Sequence, residues 1–223
     1  MKLRVKICGI TQPAQGAAIA RLGADSLGFV CVHQSPRFVS PAQIQAIVSA
    51  LPIDPETGQQ VGRIGVFANP SLEQITQTVA AGLTGIQLHG SETPEFCRQV
   101  QLELPQLELI KALRIKTPAN LAQVLLYQDA VDVMLLDAYT NASHPGLLGG
   151  TGKTLDWDVL RSFQSDCAWL LAGGLTPDNV LTALRYLQPS GIDLSSGVER
   201  CPGDKDLRLV EQLFRNLQQG QKK

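Results

Sequence analysis

The chain has 223 residues, 44% of them hydrophobic and 17% charged, which is too apolar for a disordered polymer. Nineteen Lys and Arg against 20 Asp and Glu leave a net charge of −1, so the broad basic field that nucleic acid requires is absent. Aromatic residues make up only 5%, which leaves few platforms for stacking bases.

In chain order, eight short runs rich in Val, Ile and Leu predict strands. They are LRVKIC (3–8), DSLGFV (25–30), GRIGVF (62–67), TGIQLH (84–89), LELIKA (107–112), DVMLLD (132–137), AWLLAG (168–173) and GIDLSS (191–196). Several are nearly continuous rather than alternating, as parallel strands covered on both faces are. Helical stripes lie between them: Ile44, Ile47, Val48 and Leu51; Leu121, Val124 and Leu125; Leu181, Leu184 and Leu187; Leu207, Val210, Phe214 and Leu217. Ser40-Pro41, Thr93-Pro94, Thr117-Pro118 and Thr176-Pro177 read as helix starts. In each, a hydroxyl can accept from an orphan amide, and proline sits where the first turn needs no donor.

Eight strands alternating with helix-sized segments predict an α/β fold, a (β/α)8 TIM barrel spanning 1–223 as a single domain. The alternative is an open doubly wound sheet, but Cys8-Gly9-Ile10-Thr11 stands where that fold carries its glycine fingerprint. The segment 138–156 is the one long irregular stretch and reads as a glycine-rich mobile loop. Within it, GGTGKT (149–154) is not a Walker phosphate loop, because Leu147 occupies the position of that motif's first glycine.

The N-terminal MKLRVKICGITQP lacks the apolar run of a signal peptide, and no stretch approaches the roughly 18 apolar residues of a membrane span. Five cysteines, an odd number without a CxxC pair, argue against a disulfide framework or a zinc site and for a reducing cytoplasm. The expectation is a cytoplasmic protein with no metal or other cofactor and no nucleic-acid or membrane partner.

In a barrel the C-terminal strand ends face the active site. That rule selects Cys8, Gln87, His89, Lys111, Asp137 and Asp193, with Arg37 in the loop after the second strand. Gly173-Gly174 follows the seventh strand and Ser195-Ser196-Gly197 the eighth, the two places where barrels hold phosphate. Ordinary turns are the plain alternative for either motif alone. Cys8 and Asp137 can form a base and acid pair, with the thiol pKa lowered at an electropositive strand end and the carboxyl kept protonated by partial burial. By residue type alone, Cys8 is more often a buried apolar filler, Asp137 equally a turn or cap residue, and Arg37 more often a solvated surface arginine. Arg37 otherwise offers a planar fork for a carboxylate.

KICGIT (6–11), GADSLGFV (23–30), SPRFVS (35–40), GVFAN (65–69), GIQLHG (85–90), IKALR (110–114), LLDA (135–138), GGTGKTLDW (149–157), LAGGLTPDNV (171–180) and GIDLSSGVE (191–199) occur in order. Together they closely resemble the phosphoribosylanthranilate isomerases of tryptophan biosynthesis, over nearly the whole chain. The resemblance implies a (β/α)8 barrel and the Amadori rearrangement of N-(5-phosphoribosyl)anthranilate to 1-(2-carboxyphenylamino)-1-deoxyribulose 5-phosphate, without a cofactor. It implies Cys8 as general base and Asp137 as general acid. Arg37 would bind the anthranilate carboxylate, and Gln87, His89 and Asp193 would contact substrate. Gly173, Gly174, Ser195, Ser196 and Gly197 would hold the phosphate. The partner is then a small phosphorylated substrate, and the protein a monomer or homodimer. Two alternatives stand beside it. A histidine-pathway aminoaldose isomerase would more naturally place a carboxylate at Cys8, and a silent phosphate-binding scaffold would not need Cys8 or Asp137.

Overall fold

The computed structural model describes residues 2–55, 58, 60–115, 117–137, 157–161 and 163–220. The expected glycine-rich loop at 138–156 lies outside the described residues. Eight parallel strands close into a barrel in chain order: β1 (Arg4–Cys8), β2 (Ser26–Val30), β3 (Gly62–Phe67), β4 (Gly85–Leu88), β5 (Glu108–Arg114), β6 (Val133–Asp137), β7 (Ala168–Ala172) and β8 (Gly191–Leu194). The seam closes where Lys6 of β1 pairs in register with Asp193 of β8. The helices are α1 (Pro13–Arg21), α2 (Pro41–Ser49), α3 (Leu72–Val79), α4 (Pro94–Glu103), α5 (Pro118–Val124), α6 (Asp158–Arg161), α7 (Val180–Tyr186) and α8 (Leu207–Gly220). After β8 the chain makes a small antiparallel hairpin, β9 (Glu199–Cys201) with β10 (Asp204–Lys205). No described helix is long and apolar enough to cross a membrane.

The near-continuous apolar strands are explained by two packing layers. Outward-facing Ile7, Phe29, Leu88, Leu136 and Leu171 join the helices in one large core. Inward-facing Ile64, Ile110, Ala112, Val133, Leu135, Leu170 and Ala172 fill the β3–β7 side of the barrel. The β8–β1 side is filled differently. Side chains two apart on a strand share a face, so Arg4, Lys6 and Cys8 form three successive layers. Arg4 bonds Glu108 through both terminal guanidinium nitrogens, and Lys6 bonds Asp193 at 3.0 Å.

Three expected helix starts, at Ser40, Thr93 and Thr176, form side-chain caps as read. Ser40 Oγ accepts from the Gln43 amide at 3.3 Å while Gln43 Oε1 accepts from the Ser40 amide at 2.8 Å. Thr93 Oγ1 accepts from the Phe96 amide at 3.3 Å. At Thr117, Asn120 Oδ1 instead accepts from the Thr117 amide at 3.1 Å. At the fourth start the cap forms, but the regular helix begins later. Asn179 accepts from the Thr176 amide at 2.8 Å, donates its own amide to Thr176 Oγ1, and bonds the Gly174 carbonyl at 3.0 Å. That turn holds 177–179 outside the regular helix, and α7 begins at Val180.

Lys111 is also corrected. It lies in the middle of β5 rather than near its end, and its neighbours Ile110 and Ala112 face the barrel interior, so it faces the helices. Its ammonium donates to the Leu88 and Gly90 carbonyls at 3.3 and 2.9 Å and to Glu92 Oε2 at 2.7 Å. Glu92 in turn accepts from the Asn69 and Gly90 amides at 2.7 and 2.9 Å. This buried cluster braces the loop that leaves β4. Removing one member of a buried pair strands the other charge, at a cost of about 3–5 kcal/mol. Lys111→Met is expected to lower the unfolding free energy by that amount in urea titration. A loss below about 1 kcal/mol, the size of an exposed pair, would contradict the clamp.

Candidate active site

The C-terminal strand ends and following loops enclose a cavity of about 450 Å³. Cys8 and Asp137, Arg37, Gln87, His89 and Asp193, and Gly173, Gly174, Ser195, Ser196 and Gly197 all line it. The sequence reasoning therefore brings its site residues to one place, with Lys111 excluded for the reason above.

Cys8 ends β1 opposite Gly28 of β2. A Cβ at Gly28 would lie 2.6 Å from the Cys8 sulfur, so glycine makes the room that the thiol occupies. Burial pushes the Cys8 thiol up from its ordinary range, with Lys6 pulling it down, Asp193 pushing it further up and Lys205 pulling it down. The expectation of a lowered thiol is thus corrected: desolvation outweighs the nearby ammonium groups.

Arg37 does not present a free fork. Its Nε donates to Glu199 Oε1 at 2.9 Å and its Nη2 to Glu199 Oε2 at 2.6 Å. Glu199 also accepts from Lys205 Nζ at 2.7 Å and the Gly203 amide at 3.2 Å. Burial alone would raise the Glu199 carboxyl; hydrogen bonds from Arg37 and Lys205 overcome it and hold the carboxyl below the usual range. Two cations on one carboxylate leave a positive excess at the mouth, with the Arg37 guanidinium held in one orientation.

Gln87 and His89 form a second polar pair. Strand β4 ends at Leu88, so His89 stands just beyond it rather than ending it. Gln87 Nε2 lies 3.4 Å from His89 Nδ1, a pair whose donor and acceptor follow the ring tautomer. His89 Nε2 faces Asp137 Oδ2 at 3.9 Å. Gln87 Oε1 and His89 Nε2 are both buried, without a hydrogen-bond partner among the described residues. Burial and the positive charge of Arg114 are the leading causes that push the imidazole down to about 4.

Across the mouth, Gly173 and Gly174 both adopt positive φ, 94° and 60°. A Cβ at Gly197 would lie 1.8 Å from the Leu175 carbonyl oxygen, so only glycine lets the loops after β7 and β8 meet. Bare backbone at this meeting is suited to an anion, whose approach side chains would obstruct.

Sequence reasoning missed four residues of this neighbourhood. Arg114 lines the cavity and is the register partner of Asp137. Extending the fifth strand two residues past Ala112 would have found it. Lys6 was recoverable from its spacing to Cys8. Glu199 and Lys205 carried no local signal, because the hairpin that places them is too short for a periodicity.

A closed barrel with a thiol, a carboxyl, an oriented guanidinium and a glycine-walled anion niche at its C-terminal mouth defines a (β/α)8 enzyme of phosphorylated small molecules. The family model described as N-(5'phosphoribosyl)anthranilate (PRA) isomerase matches residues 5–216. The N-(5'-phosphoribosyl)anthranilate isomerase of Acaryochloris marina is 58% identical over 216 residues, covering 96% of this chain and 98% of that one. The crystal structure of phosphoribosyl anthranilate isomerase from Thermotoga maritima superposes with a TM-score of 0.84 at 34% identity, covering 98% of this chain and all of that one. A structure of the enzyme with reduced 1-(o-carboxyphenylamino)-1-deoxyribulose 5-phosphate gives 0.80 at 32% identity, covering 98% and 100%. The chain belongs to the phosphoribosylanthranilate isomerase family.

The state of His89 is directly measurable. A depressed pKa means that the imidazole contributes stability above the unfolded value near 6.5, lost as pH falls toward 4. Nitrogen-15 spectra of His89, assigned with a His89→Gln variant, are expected to show a neutral ring throughout pH 5–8. A ring that titrates near 6.5 would refute this geometry.

Proposed function

We propose that the cavity isomerises N-(5'-phosphoribosyl)anthranilate by general acid and base catalysis, with Asp137 as acid and Cys8 as base. The chain is an isomerase of tryptophan biosynthesis, converting this aminoaldose to 1-(2-carboxyphenylamino)-1-deoxyribulose 5-phosphate. The observation that carries the mechanism is that one thiol and one carboxyl, from β1 and β6, line the same cavity as an oriented arginine and a glycine-walled niche.

The phosphate sits between Gly173-Gly174 and Ser195-Ser196-Gly197, and the anthranilate carboxylate meets Arg37. The substrate thereby stretches across the mouth with its ribose over the barrel axis. Asp137 donates a proton to the furanose ring oxygen; the C1′–O bond breaks, and the nitrogen lone pair completes a Schiff base. The Cys8 thiolate then takes the C2′ proton, and its electron pair moves to give the enolamine, which tautomerises to the ketone. Positioned groups of this kind contribute about 10²–10⁴-fold each.

Neutral His89 is available to substrate oxygens through Nε2. Gln87 Oε1 and Asp193 are available to substrate hydroxyls. Each buried polar atom left unpaired is a place where ligand supplies the missing bond. Glu199 acts on Arg37, fixing the fork before substrate arrives. The enzyme works without metal or organic cofactor, as the family resemblance implies, in a reducing cytoplasm, a reading supported by an odd number of cysteines without a CxxC pair.

Purified protein given freshly generated phosphoribosylanthranilate is expected to extinguish the anthranilate-type fluorescence; absence of turnover would refute the assignment. Cys8→Ala and Asp137→Asn should each lower kcat by about 10²-fold or more, and near-normal kcat in either would remove that residue's role. Glu199→Gln is expected to act on substrate binding, raising KM about tenfold, the loss of one charged hydrogen bond. An unchanged KM would show that Arg37 needs no support.

A further inference from the structure

We infer that Lys6 is the counter-ion of Cys8: its ammonium, tethered to Asp193 beneath the thiol, sets how much of the sulfur is ionised. The inference deepens the reading of Cys8 as the base and rests on it for its catalytic meaning.

Lys6 and Cys8 are two residues apart on β1, so both project into the barrel, Lys6 one layer lower. Lys6 is completely buried, at 0% exposure. Its Nζ donates to Asp193 Oδ1 at 3.0 Å, and its positive charge and the negative charge of the Cys8 thiolate favour one another. Asp193 is its single ion-pair partner among the described residues.

The groups that face Cys8 come from four elements. They are Lys6 on β1, Asp193 on β8, Lys205 on β10, and Arg37 after β2. Cys31, also after β2, has its thiol pushed up to about 12 by burial and adds no charge near neutrality. Glu199 neutralises one of the two cations Arg37 and Lys205. With Cys8 as thiolate, Lys6, Lys205 and Arg37 balance Asp193, Glu199 and the sulfur. The cluster is therefore neutral when the base is armed and carries one excess positive charge when it is not. In a low-dielectric interior this balance favours the thiolate against the desolvation that opposes it.

The two members of the tether act on the sulfur with opposite signs, which separates this role from a purely structural one. Lys6 favours the thiolate, whereas Asp193 disfavours it. The pH dependence of iodoacetamide alkylation at Cys8, resolved from the other cysteines by peptide mass spectrometry, reads the thiol directly in the intact protein. Lys6→Met is expected to raise the apparent thiol pKa by about one unit, a tenfold lower thiolate fraction at a given pH below it. Asp193→Asn is expected to lower it, and the double variant, which leaves no stranded charge, to fall between. If Lys6→Met does not fold, the other two variants decide. An unchanged or raised thiol pKa in Asp193→Asn, or an unchanged one in Lys6→Met, would overturn the inference. The acid limb of kcat/KM should move with the alkylation profile. Alkylation that shifts while that limb stays fixed would support Lys6 as counter-ion and remove Cys8 as the base.

Discussion

The ion pair between Lys6 and Asp193 is the constraint around which the rest of the site is arranged. It joins β1 to β8 at the one seam where a sheet of eight strands must close on itself. It also places a positive charge directly beneath the residue that ends β1. A buried pair adds little net stability over well-packed apolar side chains. Its presence beside an interior cluster of Ile, Leu, Val and Ala from β3 and β5–β7 therefore points to function. The polar half of the barrel lies under the thiol, and the apolar half under Asp137.

The near-zero net charge of the chain conceals a strong local asymmetry. A substrate carrying a phosphate and a carboxylate needs positive potential at both ends, and a global basic field is not required for that. In the proposed reading one end is met by backbone, at the meeting of Gly173-Gly174 with Gly197, and the other by Arg37 and Lys205 shared over Glu199. The hairpin β9–β10 is what makes the second end possible. It reaches back from β8 to a side chain 162 residues earlier in the chain, so the fork is rigid before it binds. The Lys111–Glu92 cluster does similar work behind β4, fixing the loop that starts at His89.

Sequence made the barrel and most of the mouth legible because both rest on local signals. Buried parallel strands are continuous apolar runs, and Ser40-Pro41 and Thr93-Pro94 mark helix starts by their own chemistry. Helix α3 escaped because proline precedes its cap, Ser71 with Gln74, and Leu72 rather than proline opens the first turn. The start of α7 moved because Asn179 serves the glycine loop as well as the turn. Arg114 escaped because its strand was ended two residues early. What could not be read was anything set by groups distant in the chain. The engagement of Arg37 by Glu199 belongs to that kind, as do the burial that raises the Cys8 thiol and the neutral state of His89. Each is a sum over residues that only the closed barrel brings together.

The central claim is that this one cavity holds the substrate across the barrel mouth, with Cys8 at C2′ and Asp137 at the ring oxygen. A crystal structure with the reduced product analogue bound tests it most directly. The account predicts the phosphate between Gly173-Gly174 and Ser195-Ser196-Gly197, the aromatic carboxylate on Arg37, and the Cys8 sulfur and Asp137 carboxyl at C2′ and at the former ring oxygen. A phosphate seated elsewhere, or a sulfur facing away from C2′, would contradict it.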